Sequence, residues 1–349
     1  MAKKVRVGVI GAGQVSQQMH IPGLLKSPLT DLAAIADVSE KRRSEAAKQF
    51  NIPHVFADYK DLLAMDDLDA VCVALPNFLH CPATVDALNA GKHVLCEKPM
   101  AMNRKEAEKM IAAARKKRRI FMIGQNMRFT RDTQLAKKAI ASGKIGEPYH
   151  ARCFLLRRNG IPRIGSWFTQ KKYSGGGVLL DLGVHMLDCT LYLMDSFDVA
   201  TVTGMTFAKF GARGLGDGTW GMDERATGRP YDVDDYAAAF VKMKSGKSVI
   251  LEVAWHAYTA PSRAIDIYGD RGGIHTPPTK LFGEKKDIEP PIAPESAKMP
   301  LPTERMVHFV ECVARGRRPI CDPAQSLVVQ KVLDAIYESS RSGREVRIR

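Results

Sequence analysis

The sequence predicts an α/β protein: an N-terminal doubly wound parallel sheet, then an α+β part with a mostly antiparallel open sheet. Three observations carry this. Short apolar runs alternate with helix-patterned segments through about residue 125. A glycine turn, Gly11-Ala12-Gly13, joins the first run to the first helix pattern. Strand-like runs then crowd together between residues 200 and 282.

The first set of strands reads as Val5–Ile10, 32–36, 70–75, His93–Cys96 and 120–123. Helix patterns at 39–50 and 81–90 separate them, and Asn103 with Glu106 forms a capping box that opens a helix to about Lys117. Apolar strands of this kind are buried on both faces, which implies a parallel sheet with helices on each side. After Thr130 the pattern changes. A helix reads at 131–142 and a strand at 148–158, and Gly175-Gly176-Gly177 opens a helix to about Met194. Strands follow at 201–208, 235–244, 248–257 and 263–269. The stretch 210–231 is rich in Gly and charge and reads as a long loop. The Pro-rich stretch 287–302 reads as an extended crossing segment, and helices at 304–314 and 323–340 close the chain. The domains are expected at 1–125, for a dinucleotide, and 126–349, for substrate and oligomerisation, with a C-terminal helix able to pack back on the first.

At 349 residues, 45% hydrophobic and 26% charged, the chain has the size of two domains and a soluble balance. No apolar run reaches the roughly 18 residues of a membrane span, and no secretory leader pattern is evident, so a cytoplasmic protein without a membrane partner is expected. Seven cysteines without a CxxC pair argue against a disulfide framework or a zinc ribbon. The net charge of +14 is spread along the chain, without the aromatic interleaving of a nucleic-acid surface, and no nucleic-acid partner is expected.

The glycine turn suits a dinucleotide. Glycine permits the positive φ of a tight turn and lets the backbone approach a pyrophosphate, while the helix start, with Gln14 and Val15, offers free N–H groups. The third fingerprint position is Ser16 rather than Gly, small enough for helix–strand packing. Asp37 ends the second strand, where a carboxylate accepts hydrogen bonds from ribose hydroxyls and favours NAD. Lys41, Arg42 and Arg43 could neutralise a 2′-phosphate, so NADP is the less favoured cofactor. A Rossmann domain results.

Three further stretches carry chemistry. Leu75-Pro76-Asn77 and His80 lie at a strand's C-terminal end, where open α/β sheets bind ligands. Glu97-Lys98-Pro99 lies at another, where a lysine can act as acid or base or remain a surface group. On one helix face, Asp181 precedes His185 by one turn and Asp188 follows. A carboxylate beside an imidazole orients it. The same residues could ligate a metal, but a third strong ligand at matching spacing is not evident, so no metal is expected.

Together these stretches resemble the Gfo/Idh/MocA oxidoreductase family, which includes glucose–fructose oxidoreductase and inositol dehydrogenases. The resemblance rests on Gly11, Gly13 and His20, on Pro76-Asn77 with His80, and on Glu97-Lys98-Pro99. It continues in Gly175-Gly176-Gly177 with Asp181, His185 and Asp188, in Asp232 to Asp235, in Glu252 to Trp255, in Gly269 to Gly273 and in Leu333 to Ser339. It covers nearly the whole chain. Ser16 and the 210–231 loop depart from the family pattern.

The resemblance implies a catalytic group of Lys98, Asp181 and His185, and hydride transfer between nicotinamide and a secondary hydroxyl of a sugar or cyclitol. Cofactor contacts are expected from Gly11, Gly13, Gln14, Val15, Asp37, Arg42, Leu75, Pro76, Asn77, His80, Glu97 and Lys98. Substrate candidates are Asn126, Arg128, Trp167, Tyr173 and His256, because polar groups beside aromatic faces suit a polyhydroxylated ring. Trp167 and Tyr173 read equally well as packing, and His256 as a core histidine. A homodimer or homotetramer is expected. The alternatives are a reductase of a ketosugar or biliverdin-like acceptor, a redox-assisted sugar-modifying enzyme with tightly bound NAD, and a catalytically silent dinucleotide-binding regulator.

Overall fold

A computed structural model describes residues 4–218, 220–221, 230–288 and 304–348. By compactness the chain forms two units, Met1–Phe129 with Pro300–Leu327, and Thr130–Met299 with Val328–Arg349. The division thus differs from a cut at residue 125, because a C-terminal segment returns to the first unit.

The first unit holds a six-stranded parallel sheet: β1 Val5–Ile10, β2 Thr30–Ala36, β3 His54–Phe56, β4 Ala70–Val73, β5 His93–Cys96 and β6 Phe121–Ile123. Their order is β3-β2-β1-β4-β5-β6, so the direction of winding reverses between β1 and β4. Successive residues of one strand alternate between two cores. Val71, Val73, Val94, Cys96 and Ile123 join one, with Leu88 and Met110 from the covering helices. Cys72, Leu95 and Met122 join the other, with Ile21, Leu24, Phe309 and Val310. Both faces are therefore dry, which is why these strands read as unbroken apolar runs. Phe309 and Val310 belong to the helix Glu304–Arg315. Asn103 caps the helix Arg104–Lys117 by accepting the Glu106 N–H at 3.1 Å, while the Glu106 carboxylate takes the N–H of Met102, one residue outside the expected box.

The second unit holds a nine-stranded sheet. Its strands are β7 Pro148–Leu156, β8 Val199–Phe207, β9 Tyr236–Met243, β10 Ser248–Ala254, β11 Ser262–Gly269, β12 Gly273–Thr276, β13 Lys280–Phe282, β14 Asp287–Ile288 and β15 Val346–Arg347. The order is β14-β13-β12-β11-β7-β10-β9-β8-β15, antiparallel except for the β7–β10 pair. The apolar helix Val184–Met194 packs on one face, against β7, β10 and β11. The stretch Lys171–Met194 would pass for a membrane span by length and composition, but 83% of its most apolar window is buried in the fold. Cross-strand register puts Met205, Phe207, Phe240, Ile250, Tyr268 and Phe282 together on the opposite face, all exposed.

The 210–231 stretch is irregular where described, with a short turn at Gly211–Arg213. Within the expected crossing segment, Asp287 and Ile288 form β14, and the remainder lies outside the described residues.

Candidate active site

The glycine turn follows β1 at the point where the sheet's winding reverses. Gly11 has φ +100°, and a Cβ there would lie 2.3 Å from Ala74 O, at the end of β4. Only glycine fits this approach. A Cβ on Gly13 would meet nothing within 4 Å, so that side of the turn opens onto free space that a dinucleotide backbone can fill. Ser16 takes the third fingerprint position for a positive reason. Its hydroxyl donates to Gly11 O and ties the turn shut, which a glycine could not do. Gln14 and Val15 begin the helix, with Val15 exposed, and a π-helical turn Ser16–His20 follows. Such turns occur disproportionately at functional sites.

Asp37 is buried at the end of β2. Its Oδ2 accepts the Ala12 N–H at 2.8 Å, so the second strand's carboxylate braces the glycine turn directly. Its Oδ1 accepts the Ser39 N–H at 2.8 Å and Arg42 Nη2 at 3.1 Å. Arg42 is therefore engaged by Asp37.

Past β4, Leu75 and Pro76 lead into a short 3₁₀ turn, Asn77–Leu79, in which Asn77 is buried. The buried His80 ring lies between two carbonyls: Nδ1 is 2.7 Å from Pro99 O and Nε2 2.8 Å from Leu75 O. One imidazole thus spans the loops that carry Asn77 and Lys98. Burial pushes its pKa down.

Past β5, Glu97 lies at the centre of a buried cluster. Its Oε1 receives His20 Nε2 at 2.7 Å and Arg305 Nη2, and its Oε2 accepts the Lys98 N–H at 3.1 Å. Burial pushes the Glu97 pKa up, but the Arg305 guanidinium, His20 and Lys98 outweigh it and hold the carboxyl well below the usual range. Burial pushes His20 down, so the pair is a carboxylate and a neutral imidazole that donates Nε2–H. Lys98 is half-buried and precedes a cis bond to Pro99.

Asn126 follows β6 in the turn Asn126–Phe129, and its buried Oδ1 accepts no hydrogen bond among the described residues. Arg128 corrects an expectation. It is fully buried, and its Nη1 donates to Ile320 O at 2.8 Å and to Gln325 Oε1 at 2.6 Å, so it braces the returning C-terminal segment and does not face a substrate.

In the second unit the triple glycine run is explained by contact. A Cβ on Gly176 would lie 2.1 Å from Tyr337 Oη, and one on Gly177 1.9 Å from Asp234 O. The Asp234 carboxylate accepts the N–H groups of Gly177 and Leu179 and the Tyr337 hydroxyl, at 2.7 to 2.9 Å. These bonds fix the start of a π-helical turn, Leu179–Gly183, which contains Asp181 and runs directly into the helix Val184–Met194, which contains His185 and Asp188. Asp181 is buried, and its Oδ2 accepts the indole N–H of the fully buried Trp255 at 2.8 Å. That partner was not foreseen as a site residue, although the resemblance reaches it. Among the described residues no group of three or more His, Cys, Asp or Glu could hold a metal ion.

Trp167 is half-buried and stacks on Phe168, with ring centroids 3.8 Å apart, and Phe168 meets Trp220 edge-on. Tyr173 is half-buried, with Lys172 Nζ 5.3 Å from its ring centre. His256 is buried against the edges of Phe210 and Tyr258, and neither ring nitrogen has a hydrogen-bond partner among the described residues.

Two family descriptions match the chain. An oxidoreductase family with an NAD-binding Rossmann fold, GFO/IDH/MocA, matches residues 5–125. The GFO/IDH/MocA C-terminal domain matches residues 133–275. D-glucoside 3-dehydrogenase of Escherichia coli is 29% identical over 99% of this chain and 97% of its own length. Levoglucosan dehydrogenase of Pseudarthrobacter phenanthrenivorans is 30% identical over 78% of this chain and 73% of its own. The crystal structure of aldose-aldose oxidoreductase from Caulobacter crescentus, complexed with glycerol, superposes with a TM-score of 0.84 at 25% identity and covers 99% of this chain and 100% of that one.

Proposed function

The chain belongs to the Gfo/Idh/MocA oxidoreductase family, and from that premise we propose how its residues act on a sugar hydroxyl. The protein is an NAD-dependent dehydrogenase of CH–OH groups in sugars or cyclitols. When bound, NAD supplies the hydride acceptor. The glycine turn accommodates its backbone at the open side of Gly13, and Asp37 receives the ribose. The engagement of Arg42 by Asp37 supports NAD over NADP, because a 2′-phosphate would have to draw that cation away.

His185 accepts the proton of the substrate's secondary hydroxyl. Lys98 donates a hydrogen bond to the same oxygen and stabilises the developing alkoxide. Asp181 orients the imidazole, and Trp255 holds Asp181. The observation that carries this reading is the fixed carboxylate of Asp181, one helical turn before His185 and clamped by an indole N–H at 2.8 Å. Asn126 is a substrate contact, because its orphaned carbonyl oxygen needs a hydroxyl-type donor. Trp167, Tyr173 and His256 remain candidate contacts for the ring. Purified Lys98→Ala and His185→Ala variants are expected to lose at least about 10²-fold in kcat on a verified sugar while still binding NAD. Wild-type turnover in either variant contradicts the assignment.

The protein is a homodimer or homotetramer that covers the exposed face of the second sheet. It works in the cytoplasm, a placement that seven free thiols support; fractionation with the cell envelope would contradict it.

A further inference from the structure

The buried cluster around Glu97 joins residues far apart in the chain. Arg305 enters from the first turn of the helix Glu304–Arg315 and is almost completely buried. Its guanidinium forks: Nη2 donates to Glu97 Oε1, and Nη1 donates to Gly124 O at the end of β6. The fork packs closely on this glycine: a Cβ on Gly124 would lie 3.1 Å from Arg305 Nη1 and 3.3 Å from Glu97 Cδ, and would crowd both. Glu97 also receives the backbone N–H of Lys98 through its other oxygen. One guanidinium therefore sets the carboxylate that in turn sets the Lys98 backbone.

The charges make this more than packing. A buried carboxylate must be compensated by a nearby cation. Among the described residues three charged or titratable groups face Glu97: Arg305 from the C-terminal helix, His20 from the π-turn, and Lys98 from its own loop. His20 is pushed toward neutral by burial. Only Arg305 and Lys98 remain as cations, and Lys98 is the next residue in the chain.

We propose that Arg305 is a positioning residue for the reaction: it holds the charge of Glu97, so that Lys98 serves the substrate oxygen instead of its neighbour's carboxylate. This rests on the reading of Lys98 given above. Arginine suits the task because its planar fork reaches Glu97 and Gly124 at once. The segment Pro300–Leu327 thus returns to the first unit for a chemical reason as well as a packing one.

The test is steady-state kinetics on the full chain with NAD and a verified sugar, beside melting curves. Arg305→Met is expected to lower kcat by about 10²-fold, with a much smaller change in KM, since a small misplacement of a reacting group has effects of that size. Arg305→Lys keeps the charge and is expected to recover part of the loss. The double variant Arg305→Met with Glu97→Gln removes the carboxylate that would capture Lys98, and is expected to regain at least about ten-fold over the single variant. Where Arg305→Met fails to fold, the folded double variant is read against wild type instead: a kcat within about ten-fold of wild type supports the proposal, and a loss of about 10²-fold or more overturns it. A folded Arg305→Met with wild-type kcat overturns the proposal, and so does a double variant that melts like wild type yet is no faster than the single. A fully active Lys98→Ala would instead sink the reading of Lys98. A neutral Arg305→Met beside an inactive Lys98→Ala sinks this proposal alone.

Discussion

A buried carboxylate that accepts an indole N–H is held in one rotamer by a charge-assisted bond. Asp181 is in that position, and Trp255 is its partner. Replacing Trp255 with Phe keeps an aromatic ring in the core and removes only the N–H. The expected result is a folded enzyme whose kcat falls about ten-fold, with KM for the sugar nearly unchanged, because the bond acts on the proton acceptor and not on sugar binding. Unchanged kcat would mean that the indole only fills space. The residues of this site divide by whether their partners are local. Gly11, Asp37, Lys98, Asp181 and His185 could be proposed from the sequence because each follows a strand or shares a helix turn with its neighbour. Trp255 and Arg305 were not assigned roles, since their partners are distant in sequence and no periodicity encodes them. Arg128 misled for the mirror reason: its position after the sixth strand suggested a ligand, while Ile320 and Gln325 had already taken its guanidinium.

The elements were legible where they were long or buried on both faces. β1, β2, β4, β5 and β6 were read as apolar runs, and the helix after Gly177 was read to its end at Met194. β3, β12, β13 and β14 have two to four residues each, too few to show a period of two. The triple glycine run was read as the turn that opens a helix, and Gly176 and Gly177 answer to Tyr337 and Asp234, so their absent side chains serve packing. The second sheet presents a prediction at this scale. Six large apolar side chains, among them Phe240 and Ile250 in adjacent strands, share an exposed face. Phe240 and Ile250 are direct cross-strand neighbours, and exposed apolar surface clustered in this way marks an interaction site. Light scattering is expected to find a dimer or tetramer, with Phe240→Glu and Ile250→Glu shifting it toward monomer. A wild-type protein that stays monomeric across the accessible concentration range would contradict this.

At the scale of the whole molecule, the first unit carries the dinucleotide apparatus and the second carries Asp181, His185 and the aromatic residues. The first is built before residue 130 and completed by the segment after residue 300, where Arg305 reaches Glu97. The sequence suggested one boundary near residue 125 and a C-terminal helix able to pack back on the first domain; which segment returns, and through which contacts, leaves no local mark. The central claim is that these residues together move a hydride between NAD and a sugar hydroxyl. Its most direct test offers the purified chain a panel of inositols, aldoses, sugar acids and nucleotide sugars, with NAD and NADP in parallel, and follows nicotinamide absorbance. The account predicts reduction of NAD with at least one member of the panel, and slower reduction of NADP. A protein that binds NAD yet reduces neither cofactor with any member of the panel, and oxidises NADH with none of the corresponding ketones, would contradict it.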